Sequence, residues 1–106
     1  MGRFKITVIR KMSNPDFAAE YCVKGEAEKL CPLMAEGLEF IAEGCQPEGF
    51  CSWAWDDIGK YLTVFDADGN FTDSMQWMKD RNTIIACCTD GIRPVVFKIE
   101  HLSEGK

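Results

Sequence analysis

Six cysteines stand in 106 residues, at Cys22, Cys31, Cys45, Cys51, Cys87 and Cys88. Thiolates bind soft metals and attack electrophiles, and thiols pair as disulfides, so these six residues carry the widest range of chemistry in the chain. No two are spaced C-x-x-C, which removes the strongest zinc and thioredoxin-type patterns. The only histidine is His101, so a metal site assembled by the fold would be a thiolate cluster holding zinc or an iron–sulfur centre. Against this stands the habit of a free cysteine to behave as a small buried hydrophobe. Cys87 and Cys88 follow Ile84 and Ile85 in what reads as a core strand. Adjacent strand residues face opposite ways, so at most one of the two joins a given site. Cys51 is the best placed as a nucleophile, because it directly precedes a helix whose N-terminus favours thiolate. Asp56 and Asp57 oppose that effect, and no histidine or lysine adjoins Cys51 to act as its base.

The other candidate constellations are weaker. Asp66-Ala67-Asp68-Gly69-Asn70-Phe71-Thr72-Asp73 resembles a calcium loop in composition. An EF-hand needs oxygen ligands at its first, third and fifth positions, glycine at the sixth and glutamate at the twelfth. Starting at Asp66 puts Phe71 sixth and Trp77 twelfth, and starting at Val64 loses the first ligand. The stretch therefore reads as a solvated turn without calcium. Trp53 and Trp55 flank Ala54 just after Cys51. Trp55 falls on the apolar stripe of the helix, whereas Trp53 falls off it and is a candidate for a pocket or subunit interface, where tryptophan is favoured. His101 closes the last strand and reads as solvated, with no Ser-His-Asp or Cys-His arrangement around it. No phosphate-cradling glycine loop is present.

The elements that must position these residues follow from periodicity. Phe4, Ile6 and Val8 alternate with Lys5 and Thr7, giving a half-buried strand in which Ile9 is an apolar exception. Asn14 suits a helix cap and Pro15 the first helical position, so a short helix runs through Phe17, Ala18 and Tyr21 and ends by Gly25. Gly37 marks a turn before a short strand with Leu38 and Phe40 on one face. A loop spans 44–49. Ser52 is a good cap for the clearest helix, Trp53 to Phe65, with Trp55, Ile58, Leu62 and Phe65 at steps of three and four. Thr72 or Asp73 opens a short third helix carrying Met75, Trp77 and Met78. Ile84 to Thr89 and Val95 to Glu100 form a C-terminal hairpin around Asp90-Gly91. A four-residue loop, Thr89 to Ile92, places Pro94 opposite Cys87 in a non-hydrogen-bonded pair. The fold class is α+β, a single domain over 1–106, with a small mixed or antiparallel sheet and two to three helices packed on it.

Composition bounds the function classes. The chain is long enough to bury a core unaided. Its net charge is −5, which disfavours a nucleic-acid partner. Arg3, Lys5, Arg10 and Lys11 lie along the first strand as its solvated side. The start has bases without an apolar segment behind them, Ile6 stands where a myristoylation signal needs Ser or Thr, and no apolar run is long enough for a membrane span. The reading is a cytoplasmic protein, where thiols stay reduced.

Several blocks are distinctive: Cys31-Pro32, Glu36-Gly37 with Phe40, Pro47-Glu48-Gly49-Phe50-Cys51 with Trp53-Ala54-Trp55, and Cys87-Cys88-Thr89-Asp90-Gly91 followed by Arg93-Pro94-Val95-Val96-Phe97-Lys98-Ile99-Glu100. Together they resemble a family of small proteins of about this length, found mostly in anaerobic bacteria and archaea, to which no activity is assigned. The resemblance spans nearly the whole chain. It implies recurring cysteines at Cys22, Cys31, Cys51 and one of Cys87 or Cys88, with Cys45 outside the pattern. Three of these four stand at element ends, where side chains converge, so at least three are expected near one another.

Two functions compete. The sequence favours a non-enzymatic binding or interaction domain, with a homodimer as one form it takes, because no acid, base and nucleophile constellation is visible. The alternative is a cysteine-based metal, iron–sulfur or redox site.

Overall fold

A computed structural model describes residues 2–26, 29–73 and 75–102. The elements run β1 (Arg3–Lys11), α1 (Pro15–Tyr21), β2 (Glu39–Glu43), α2 (Ser52–Asp66), β3 (Thr83–Cys87) and β4 (Val95–Leu102). The four strands form one antiparallel sheet in the order β2-β1-β4-β3. The α+β class, the antiparallel sheet and the C-terminal strand pair are as the sequence predicts.

Alternation decides which face is buried. Phe4, Ile6 and Val8 of β1, Ala42 of β2, Ile84 and Ala86 of β3, and Val95, Phe97 and Ile99 of β4 all point inward and are buried. Helix α2 covers that face with Ala54, Ile58, Leu62 and Phe65, residues spaced three or four apart along one stripe. Among the described residues no polar or charged side chain is buried, so the core is held by apolar burial alone. The outer face carries ion pairs between neighbouring strands, Arg3 with Glu43 at 3.1 Å and Lys5 with Glu39 at 3.4 Å. Two of the bases expected on the solvated side of β1 are thus charge-compensated.

One local irregularity is explained and three local expectations are corrected. The Ile9 exception has a cause: the β1–β4 register shifts between Val8 and Arg10, so Ile9 is the extra residue of a β-bulge and stays exposed. Asn14 does occupy the cap position of α1, but its side chain makes no capping bond. Its Nδ2 donates instead to the Gly91 carbonyl at 2.7 Å. The cap of α2 is Cys51, one residue before the expected Ser52, and its carbonyl accepts from the Trp55 N–H at 2.9 Å. The third helix over Met75, Trp77 and Met78 does not form among the described residues, and Ser74 within it lies outside them. Gln76 has φ +64, in the left-handed region that interrupts a right-handed helix. The N–H groups of Trp77 and Met78 both turn back to the Phe71 carbonyl, at 3.2 and 3.1 Å.

The hairpin is also longer at its tip than expected. Cys87 pairs with Val96, and the Cys88 N–H donates to the Val95 carbonyl at 3.0 Å. The connection is therefore Thr89 to Pro94, and Pro94 leaves the ladder instead of facing Cys87. Its missing N–H costs nothing there, while its carbonyl accepts from the Met12 N–H at 2.8 Å. Gly37, read as a turn, sits at φ +88, a conformation that suits glycine; its N–H donates to the Val8 carbonyl at 2.7 Å, which starts the β1–β2 pairing.

Candidate functional site

The N-terminus of α2, the segment around Cys31 to Met34 and the β3–β4 connection meet at one end of the sheet. They enclose a cavity of about 440 Å³. Its inner wall is apolar, made by Val95 and Phe97 of β4, Ala54 of α2 and Met34 of the 31–34 segment, all four buried. Phe97 is held there by the ring of Phe50, at a centroid distance of 5.5 Å.

Three thiols share this cavity: Cys31, Cys51 and Cys88 line it together. Each is partly buried and packs against the core. Cys51 is there because it caps α2, and Cys88 because it continues the inward parity of Ile84 and Ala86 beyond the end of β3. Cys87, one residue earlier, points the other way and is exposed, as adjacent strand residues require. Desolvation, then the neighbouring Cys88 and the Asp57 carboxylate, push the Cys87 thiol above its ordinary value, which keeps it protonated. It donates to the Cys88 carbonyl at 3.2 Å, while the Val95 N–H donates to the Cys88 sulfur at 3.3 Å. Cys22 stands at the C-terminal cap of α1 and is not part of the cavity wall, and Cys45 is exposed in the loop after β2. All six are free thiols. Among the described residues no group of three or more His, Cys, Asp or Glu side chains is arranged to hold a metal ion.

The rim is a hydrogen-bonded frame. Trp53 is 68% exposed, yet its indole Nε1 donates to the Thr89 hydroxyl at 2.9 Å. Thr89 in turn donates its N–H to Asp57 at 2.7 Å and its hydroxyl to the same carboxylate at 3.0 Å. Asp57 therefore clamps the β3–β4 connection to α2. Within the connection, the Asp90 carboxylate accepts from the N–H groups of Ile92 and Arg93 at 2.9 and 3.0 Å. The Arg93 guanidinium bridges Asp90 at 3.2 Å and Glu26 at 2.9 Å. Desolvation works to raise the Asp90 carboxyl, but the N–H groups of Arg93 and Ile92 and the guanidinium together hold it below its ordinary value. Hydrogen bonds from Lys29 and then Arg93 lower that of Glu26. Arg93 is raised in return by Glu26 and Asp90.

Other sequence candidates lie elsewhere. The Asp66–Asp73 acids turn to the protein's own groups: Asp66 accepts from the Gly2 N–H at 2.9 Å, and Asp73 pairs with Arg81. His101, read as solvated, is half-buried instead and stacks on Phe4 and Phe65 at 5.0 and 5.3 Å. It belongs to the opposite end of the sheet, where β1 begins. Glu26, Asp57, Thr89 and Arg93 were not singled out by spacing as a rim, because their partners are 67 and 32 residues away in sequence. Asp57, which sequence places in the first turn of the helix, is the sixth residue of α2, beyond that turn.

No family model, curated protein or solved structure matches the chain. Among the described residues no helix is long and apolar enough to cross a membrane.

Proposed function

We propose that this chain is a small cytoplasmic binding domain, not an enzyme, which takes a neutral and largely apolar small molecule into the cavity at the N-terminus of α2. The observation that carries the reading is the composition of the wall. The inner surface is apolar, and the one basic residue that lines it among the described residues, Arg93, is already paired with Asp90 and Glu26. An anion entering the cavity would meet Asp90 without a free cation to receive it. The volume of about 440 Å³ falls in the range of small-molecule sites, roughly 300–1,000 Å³. Among the described residues no histidine, lysine or carboxylate is hydrogen-bonded to a cavity thiol, which argues against an activated nucleophile.

A neutral fluorescent probe, N-phenyl-1-naphthylamine, tests the reading. It should bind saturably at one site per chain, and Cys31→Phe, which puts a ring into the cavity from its wall, should abolish binding while Cys45→Phe leaves it intact. Unsaturable binding, or binding indifferent to Cys31→Phe, would overturn it. The thiol alternative has one specific support, the shared position of Cys31, Cys51 and Cys88. Anaerobic titration with cadmium decides it: a stoichiometric thiolate charge-transfer band that Cys88→Ser removes would favour a thiol site over an apolar one.

A further inference from the structure

The two edges of the sheet differ. β2 carries Glu39 and Glu43, paired with Lys5 and Arg3 of its neighbour, and charges of this kind guard an edge against pairing. β3 reads Thr83-Ile84-Ile85-Ala86-Cys87 and has neither a charge, a proline nor a bulge. Its register fixes where its backbone groups point. The Cys88 N–H donates to Val95 and the Asn82 carbonyl accepts from His101, so the even-numbered residues turn their amides toward β4. Thr83, Ile85 and Cys87 then turn theirs away from the sheet. The Thr83 N–H returns to the Asp80 carbonyl at 3.3 Å. Among the described residues neither backbone nor side-chain group meets the N–H or C=O of Ile85, or the N–H of Cys87. The Ile85 side chain, on the outer face, is 42% exposed.

We infer that β3 is the dimerisation edge of this protein, and that its occupant is β3 of a second copy, antiparallel about a two-fold axis at Ile85. Under a two-fold axis at that residue the Cys87 N–H faces the Thr83 carbonyl of the other copy, which no group meets among the described residues, while the Thr83 N–H stays with Asp80; the edge is in this sense self-complementary, as a two-fold interface requires. Ile85 exchanges its N–H and C=O with Ile85 of the partner subunit, and the Cys87 N–H reaches the carbonyl of the partner's Thr83. The two isoleucines cover each other on the outer face, and no like charges are brought together along the paired strands. Pairing β3 with β2 of another copy would instead set Glu39 and Glu43 beside an uncharged strand and leave an edge open for further growth. The contact is short, so it belongs with interfaces burying less than about 1,200 Å², which are weak and exchanging. This inference is independent of what the cavity binds.

Sedimentation velocity on the native chain, from micromolar to millimolar protein, should show a mass that doubles with concentration. Ile85→Lys and Ile85→Glu, each at a half-exposed position and each checked for an unchanged circular dichroism spectrum, should stay monomeric. Mixing the two should restore a heterodimer, because opposite charges then face one another. Thr83→Cys, oxidised at high protein concentration, should give a covalent dimer through Cys87 of the partner subunit, and adding Cys87→Ser should abolish it; directly opposed antiparallel residues lie about 5.5 Å apart at Cα, within disulfide reach. A native chain that remains monomeric at millimolar concentration overturns the inference, and so does a dimer that Ile85→Lys leaves intact.

Discussion

Thr89 sits in a connection, yet its N–H and hydroxyl both donate to Asp57 and its oxygen accepts from Trp53. Such a residue fixes the rim of the cavity more than it stabilises the core, since Thr89 and Trp53 are exposed to water and Asp57 is only half-buried. Removing the carboxylate lets water take over both donors, so the cost follows the net value of hydrogen bonds to a charged group in an exposed setting. Asp57→Ala should lower stability by about 1 kcal/mol, measured by urea unfolding. The sharper effect is positional: the Trp53 indole loses the oriented hydroxyl that holds it, and its fluorescence should shift to the red in the native state. Asp57→Asn, which keeps an acceptor, should recover at least half of both effects. A native emission spectrum unchanged in Asp57→Ala would mean the clamp does not hold Trp53.

Among the elements, β4 and α2 carry the core, and Phe97 lies between them with no exposed surface. Phe97→Ala should cost about 3–5 kcal/mol, the range of large aromatic truncations in cores. A measured loss below about 1 kcal/mol, typical of surface changes, would place Phe97 outside the load of the core. This element was legible because period-two alternation and the three-four stripe of α2 survive any error at their ends. The third helix was not legible as absent, because Gln76 in a left-handed conformation has no composition marker: glutamine is an ordinary helix former. The hairpin tip failed for a related reason. Asp90-Gly91 suggests a tight turn, but Asp90 gathers the Ile92 and Arg93 N–H groups while Met12 takes the Pro94 carbonyl, and that second contact comes from the far end of β1. Cys51 and Cys88 share the cavity from places at element ends, whereas Cys31 enters from a loop, before Pro32. The exclusion of Cys22 was not legible, since nothing in its neighbourhood tells which end of the sheet α1 flanks.

The molecule as a whole divides into an apolar layered core and an irregular part held by carboxylates. Glu26, Asp73 and Asp90 are all held below their ordinary values. Hydrogen bonds and charges from Lys29, Arg93 and Arg81 do this, the desolvation at Asp90 notwithstanding. When a carboxyl has a lower value folded than unfolded, the unfolded chain binds more protons as the medium is acidified. The stability it contributes is therefore complete above the unfolded value of about 4, and it is lost as pH falls from there through the folded value. The melting temperature should then be flat between about pH 7 and 5 and decline below about pH 4. Because these groups tie down the 70–82 and 89–94 connections and not the sheet, the loss should be local at first. Hydrogen-exchange protection factors at pH 3 should fall in those two connections while the amides of β1 and β4 keep theirs. The 89–94 connection is also a wall of the cavity, so affinity for a probe that stays neutral should weaken over the same window, ahead of global unfolding. Loss of protection spread evenly over sheet and connections would show instead that the carboxylates act on the whole fold, through the net charge of the chain and not through the segments they hold.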